Sequence, residues 1–301
     1  MSENRLYYGD NLEVLRKYIK DESVDLIYLD PPFNSNRAYN VIFDDQTGEK
    51  SSAQINAFED TWSWSTETQS AFDEIMTGKY TLELKEMMKA FRDFMGETNL
   101  MAYLTMMAIR LVELRRVLKP TGILYLHCDP TASHYLKVLL DQVFGPHTYK
   151  NEIIWKRSQP KGHAYTRFPS AHDIILAYAK GKETPFKTQY RAHDPEYVKK
   201  FYKYEEEGTG RLYTLDNLAN PNQDRPNLTY EFPPGSGVVR VWRWTKERMI
   251  KAWEEGRIVT PKKGEVVRYK RYLDEMEGTI ITDIFDDIEH LHGSHSESLV
   301  V

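Results

Sequence analysis

Only one cysteine, Cys128, occurs among the 301 residues of this chain. An internal disulfide framework is excluded, and such sparing use fits a reducing cytoplasm, so a cytoplasmic location is expected. No apolar run approaches the roughly 20 residues of a membrane span, and no membrane association is expected. The N-terminus lacks a basic stretch leading into an apolar one, so no secretory leader is read there. A large positive charge is missing too: the formal net charge is −5. That is not the charge of a protein that coats nucleic acid, so any nucleic-acid surface must be local. Glycines do not gather after an apolar strand. Gly208 and Gly210 lie in a polar segment, and Gly235 and Gly237 follow Pro233 and Pro234. His127 and Cys128 are adjacent, but no second pair has ligand spacing, so no metal site is expected.

What stands out instead is the run from Val24 to Asn34. Five of the six residues before Asp30 are apolar, and Asp30-Pro31-Pro32-Phe33 ends the run abruptly. The pattern reads as a buried strand closing in a rigid loop, because each proline fixes its own φ and Pro32 restricts Pro31. A carboxylate, a carbonyl and an aromatic ring are thereby presented at a strand's carboxyl end, where open α/β sheets bind ligands.

These residues resemble the Asp/Asn/Ser-Pro-Pro-Tyr/Phe/Trp motif of the S-adenosylmethionine-dependent amino-methyltransferases of DNA. Leu6 to Leu15 and Asp21 to Asp25 look like the start of the β-class enzymes. The likeness covers most of the chain and is nearest to the methyltransferase subunits of type III restriction systems. It implies an α/β, Rossmann-like methyltransferase sheet with a target-recognition region inserted or appended. It also implies transfer of a methyl group to the exocyclic amine of a flipped base in double-stranded DNA. Asp30, Pro31, Pro32 and Phe33 would be the catalytic set. The Asp30 carboxylate and Pro31 carbonyl would accept the amine's two protons, and Phe33 would stack on the base, an interaction worth about 1–3 kcal/mol. Asp10 resembles the acidic residue that approaches the cofactor's adenine; equally, it is placed to N-cap a helix starting at Asn11. Asp10 and Asp30 are the cofactor candidates. Asp30 favours adenine N6 over cytosine N4, for which Ser is more frequent in the family, while cytosine N4 stays open.

Two basic stretches are candidate DNA surfaces. Between Arg240 and Arg271 stand eleven Lys/Arg and four Glu, interleaved with Trp242, Trp244, Trp253 and Tyr269. Basic groups serve phosphates, and aromatic or amide groups can meet bases; the competing reading is a solvated face over core tryptophans. Arg243, Lys246, Arg268, Lys270 and Arg271 are the candidates here. Lys156, Arg157, Lys161 and Arg167 are the candidates in a loop expected between strands 151–155 and 173–178. That loop is expected to clamp DNA and to be poorly ordered without it.

Strands are further expected at 5–8, 24–29 and 123–127, and helices at 11–19, 81–95, 99–118 and 132–144. Residues 34–80 read as a polar excursion anchored by Trp62 and Trp64, and the methionines from Met95 to Met107 read as core. Trp242 to Trp244 reads as a strand leading into a capped helix, and Val266 to Lys270 as another strand. The expected organisation is a catalytic portion over 1–185, a recognition region over 186–278, and a return segment with a tail over 279–301.

The chain departs from the resembled family in one respect. The Asp-Pro-Phe-x-Gly-x-Gly cofactor loop is absent, so this sequence reads as the catalytic half, roughly the first two-thirds of such an enzyme. A split enzyme, a truncated gene and a designed fragment are equally compatible with that. The expected partners are DNA, a second polypeptide carrying the glycine-rich motif, a second copy of the chain, or a restriction subunit. The competing class is a non-enzymatic DNA-binding remnant.

Overall fold

The computed structural model describes residues 4–31, 38–40, 56–59, 62–157, 165–166, 168–260 and 266–288, the two short pieces 38–40 and 56–59 by backbone alone. The chain forms two compact units, one of residues 1–187 with 282–301, the other of 188–281.

In the first unit, α1 (Asn11–Tyr18) begins where the Asp10 carboxylate accepts from the Leu12 amide at 2.9 Å, and it buries Leu12 and Leu15. The expected strand at 5–8 does not form. Its consecutive Leu6, Tyr7 and Tyr8 find no partner among the described strands, and Leu6 and Tyr8 are exposed. β1 (Val24–Leu29) forms as expected. β2 (Ala38–Asn40) and β3 (Asn56–Glu59) make an antiparallel pair. Three helices follow: α2 (Thr66–Thr77), α3 (Leu82–Met95) and α4 (Asn99–Val117). Each starts by one device, a hydroxyl of Ser65, Thr81 or Thr98 accepting from the amide three residues on, which satisfies a donor the helix itself leaves open. α4 is buried almost all round, and α1, α2 and α3 pack on it. Met101 and Met107 are core residues, with Met95 and Met106 packed against them. Trp62 and Trp64 pack on the same core, and the Arg92 guanidinium lies 4.7 Å over the Trp64 ring.

β4 (Leu118–Cys128) follows directly and is longer than expected, starting at the end of α4. α5 (Ser133–Phe144) packs on α4. The turn before it is closed by the Asp129 carboxylate, which accepts from Thr131 and Ala132. β5 (Tyr149–Lys156) and β6 (His172–Ala179) are antiparallel.

The second unit contains β7 (Tyr190–Arg191), α6 (Pro195–Phe201), β8 (Tyr204–Glu205), β9 (Leu212–Asn217), β10 (Thr229–Glu231), β11 (Val239–Val241), α7 (Lys246–Glu254), β12 (Ile258–Val259), β13 (Arg268–Tyr272) and β14 (Thr279–Ile280). Its main sheet has the order β12-β13-β9-β8. Its core gathers Leu218, Phe232, Trp242, Met249, Ala252, Ile258 and Val267. Trp242 follows β11 and makes an isolated bridge with Ala219, so the expected strand over 242–244 sits three residues earlier. The Trp242 ring is fully buried, which makes it a core tryptophan.

The chain then returns to the first unit as β15 (Ile284–Phe285), parallel to β5. The first unit's sheet has the order β1-β4-β6-β5-β15, with β6 antiparallel to both its neighbours. β6 is central and buried from Asp173 to Ala179. β1 is an edge, pairing only with β4 among the described strands, and Leu26 and Tyr28 are each 55% exposed. The expectation of a buried strand is corrected here: an apolar run of this kind reads as covered on both faces, and one face is open.

Candidate active site at the carboxyl end of the sheet

β1 and β4 run in parallel with Leu29 beside Leu126, which brings Asp30 to the level of His127. β6 starts at this same end with His172 and Asp173. His127 Nδ1 lies 3.1 Å from Asp30 Oδ1, and its Nε2 lies 3.5 Å from Asp173 Oδ2. Arg157, just past β5, places Nη1 3.2 Å from both Asp173 oxygens. Trp155 packs edge-on against the imidazole, with centroids 5.8 Å apart, and donates its Nε1 hydrogen to the Ile288 carbonyl at 2.9 Å. The end of the sheet thus carries a line of alternating charge: Asp30, His127, Asp173, Arg157.

Burial sets the character of that line. Asp173 is almost fully buried, and a buried carboxylate persists as an anion only beside positive partners. His127 supplies one if it carries both ring protons, since a neutral imidazole has a single N–H. Burial opposes the charged ring, but the carboxylates of Asp173 and Asp30 outweigh it and lift the His127 pKa to about 9. The Tyr28 hydroxyl is pushed up by burial first, then by Asp30 and Asp173. Asp30 itself is open, with its side chain 58% exposed. Its Oδ2 makes no hydrogen bond or ion pair among the described residues, so it is available as an acceptor. Cys128 is buried, which pushes its thiol pKa up to about 12 and removes it as a nucleophile.

The sequence-derived residues fall into several groups. Pro31 is buried next to Asp30, while Pro32 and Phe33 lie outside the described residues. Asp10 caps α1 and is bound by Arg110 of α4 at 2.8 Å through the same oxygen, Oδ1. Lys156 is exposed at the end of β5 and Arg157 is held by Asp173. Lys161 and Arg167, with most of the loop expected to clamp DNA, lie outside the described residues. In the second unit Arg243, Lys246 and Arg268 are exposed. Lys270 is bound by Glu206 at 3.1 Å and Arg271 by Asp216 at 3.4 Å. The sequence reading missed His127 as a partner of Asp30 and missed Asp173 altogether; an isolated His and the first residues of an apolar strand carry no signal of that pairing. Among the described residues, no group of three or more His, Cys, Asp or Glu is placed to hold a metal ion, and no helix is long and apolar enough to cross a membrane.

The acidic residues fit a role beside S-adenosylmethionine. Asp10 and Asp30 each keep Oδ2 without a partner among the described residues, and the Gly9 backbone next to Asp10 is unobstructed where a side chain would begin.

The family model for N6/N4 methyltransferases, described as DNA methylase, matches residues 24–249. That span holds Asp30, His127, Arg157 and Asp173. Among curated relatives, the Mod subunit of the type III restriction-modification enzyme StyLTI from Salmonella typhimurium is 24% identical over 294 residues, 95% of this chain and 41% of that protein. The type II methyltransferase M.EcaI from Enterobacter cloacae is 25% identical over 305 residues, 99% of this chain and 55% of that protein. The chain therefore spans 41% to 55% of the length of these two relatives. Among solved structures, a DNA modification methylase from Thermus thermophilus matches at 17% identity over 66% of this chain and 59% of that chain, with a TM-score of 0.32, a likeness too slight to argue from. With the family model covering well over half of its residues, the chain belongs to the N6/N4 DNA methylase family.

Proposed function

We propose that this chain is the catalytic and DNA-engaging part of an S-adenosylmethionine-dependent DNA amino-methyltransferase that acts on adenine N6 in preference to cytosine N4. The observation that carries the reading is Asp30: an open carboxylate at the carboxyl end of β1, with Oδ1 held by His127 and Oδ2 unclaimed among the described residues. An exocyclic amine is a poor nucleophile because its lone pair is delocalised into the ring. Donating its hydrogens to Asp30 Oδ2 and the Pro31 carbonyl favours a pyramidal nitrogen and stabilises the positive charge that grows there. The remainder is alignment, a proximity effect. When bound, the donor supplies an electrophilic methyl group on a positive sulfur. The base must leave the duplex to reach this corner, and Phe33 follows Asp30 closely enough in sequence to stack on it.

The partners proposed are double-stranded DNA, a polypeptide carrying the glycine-rich loop, a second copy of the chain, and a restriction subunit of the kind implied by the type III relatives' names. β1, at the edge of the sheet among the described strands, supports an added strand, since such edges pair with further chain. The buried single cysteine supports a cytoplasmic setting. The second unit is proposed to read the target sequence.

The test is methyl incorporation from labelled S-adenosylmethionine into unmethylated DNA, by the chain alone and with a polypeptide supplying the glycine loop, followed by nucleoside analysis. Labelled N6-methyladenine is the expected product. Labelled N4-methylcytosine would move the specificity. No label, with DNA binding intact, would make the chain a DNA-binding module.

The exposed cations yield a second expectation. Lys246→Glu with Arg268→Glu should weaken DNA binding and flatten the slope of log K against log salt by about 2, close to one unit per lost phosphate contact. Lys270 is bound by Glu206, so Lys270→Gln should leave that slope unchanged. An unaltered slope in the double variant would place the DNA surface elsewhere.

A further inference from the structure

The methyltransferase reading leaves unexplained why a buried histidine stands between the two aspartates. His127 lies on β4, with Asp30 from β1 on one side and Asp173 from β6 on the other. Tyr28 on β1 and Trp155 on β5 face the ring, Arg157 lies beyond Asp173, and Asp129 follows just past the end of β4. A ring so placed presents an N–H toward each carboxylate only when doubly protonated, toward Asp173 at an ion-pair distance of 3.5 Å and not in a hydrogen bond.

We propose that His127, as an imidazolium, is a positioning residue for Asp30: it fixes Oδ1 and turns Oδ2 toward the target amine. This rests on the methyltransferase reading given above. Three physical points support it. The Asp30 side chain is 58% exposed, and a carboxylate so exposed without a fixed partner rotates among several rotamers. A carboxylate whose one oxygen is bound by a cation still accepts through its second oxygen. The chain of alternating charge is neutral as a whole, so a base can approach without the repulsion that two unpaired aspartates would offer to its electron-rich edges.

The proposal has a consequence for pH. Loss of one imidazolium proton removes the ring's positive charge and leaves a lone pair facing one of the two carboxylates, so Asp30 Oδ1 is held more weakly. Because the paired ring holds its proton to about pH 9, turnover should have an alkaline limb there. That limb belongs to His127 and its surroundings, not to the amine or the sulfonium.

The first experiment needs no activity. Side-chain 15N NMR of the whole chain, with the His127 signal assigned by its loss in His127→Gln, gives the ring's titration. The expected midpoint is near pH 9, and Asp30→Asn should lower it by about one pH unit, the effect of removing one adjacent charge. A midpoint unmoved by Asp30→Asn means that the contact is not made, and the proposal falls while the methyltransferase reading stands. The second experiment uses the assembly that passes the incorporation test. His127→Gln, which keeps a donor without the charge, should lose about tenfold in kcat, and His127→Phe about a hundredfold, as expected when a reacting group is misplaced. KM for DNA should stay within about twofold, and the alkaline limb should vanish in both variants. Retention of that limb in His127→Gln overturns the positioning role. If no arrangement transfers methyl, the positioning role fails together with the methyltransferase reading, and the NMR titration decides the Asp30–His127 contact on its own.

Discussion

Asp30→Ala should reduce kcat by roughly a hundred- to a thousandfold, the range seen when a preorganised polar group facing a developing charge is removed, while DNA affinity changes by no more than about threefold. The asymmetry follows from where Asp30 stands. It is more than half exposed, so its removal opens no cavity in the core and costs little stability. Its partner is His127, and the change leaves the charge of the residues proposed to meet phosphate as it was. Asp30→Asn should fall between, because the amide keeps an acceptor oxygen but loses the charge. Single-turnover methyl transfer and fluorescence anisotropy with the same duplex measure the two quantities side by side. Parallel losses in rate and affinity would show that Asp30 holds the fold of the corner, not the amine.

The legible parts of this molecule were those specified over short distances. Val24 to Pro31 carries its own strand and its own stop, and α4 announces itself through Leu100, Tyr103, Leu104, Met107, Leu111 and Leu114 at helical spacing. Features that depend on distant partners were not legible. α2 is hidden because few of its residues are apolar, and Ala71, Phe72 and Ile75 gain their burial from distant partners, α4 and, for Phe72, the Trp64 and Arg92 side chains. β15 is two residues long and exists as a strand only because β5 offers it an edge. The strand expected at 5–8 shows the converse: a suitable pattern does not make a strand where no neighbour pairs with it. The site divides in the same way. Asp30 and its prolines could be read locally. The His127–Asp173–Arg157 line is assembled by registry among β4, β6 and β5, which apolar strand sequences do not encode residue by residue. Charge counts are silent on pairing too: Lys270 and Arg271 meet Glu206 and Asp216 in the fold.

Trp242→Ala should destabilise the second unit by about 3–5 kcal/mol, the usual loss for a large buried aromatic side chain. The indole is 1% exposed, its Nε1 donates to the Tyr230 carbonyl at 2.9 Å, and Phe232 packs edge-on against it with centroids 6.0 Å apart. Truncation therefore leaves a cavity and removes that hydrogen bond. Against a typical net stability of about 5–15 kcal/mol, a loss of this size brings the unit close to unfolding. Trp253 is the control: it stands in the same basic stretch but is 38% exposed, so Trp253→Ala should cost only about 1–2 kcal/mol. Each unit has its own hydrophobic core. Amide hydrogen exchange in Trp242→Ala should accordingly rise across 188–281 while protection in α4 and β6 persists, and DNA affinity should fall with the loss of the fold that displays Arg243, Lys246 and Arg268. Equal destabilisation by the two tryptophan changes would mean that the ring of Trp242 is not the centre of that core. Retained DNA affinity in an unfolded second unit would mean that the duplex is held by the first unit instead, through the basic residues that follow β5.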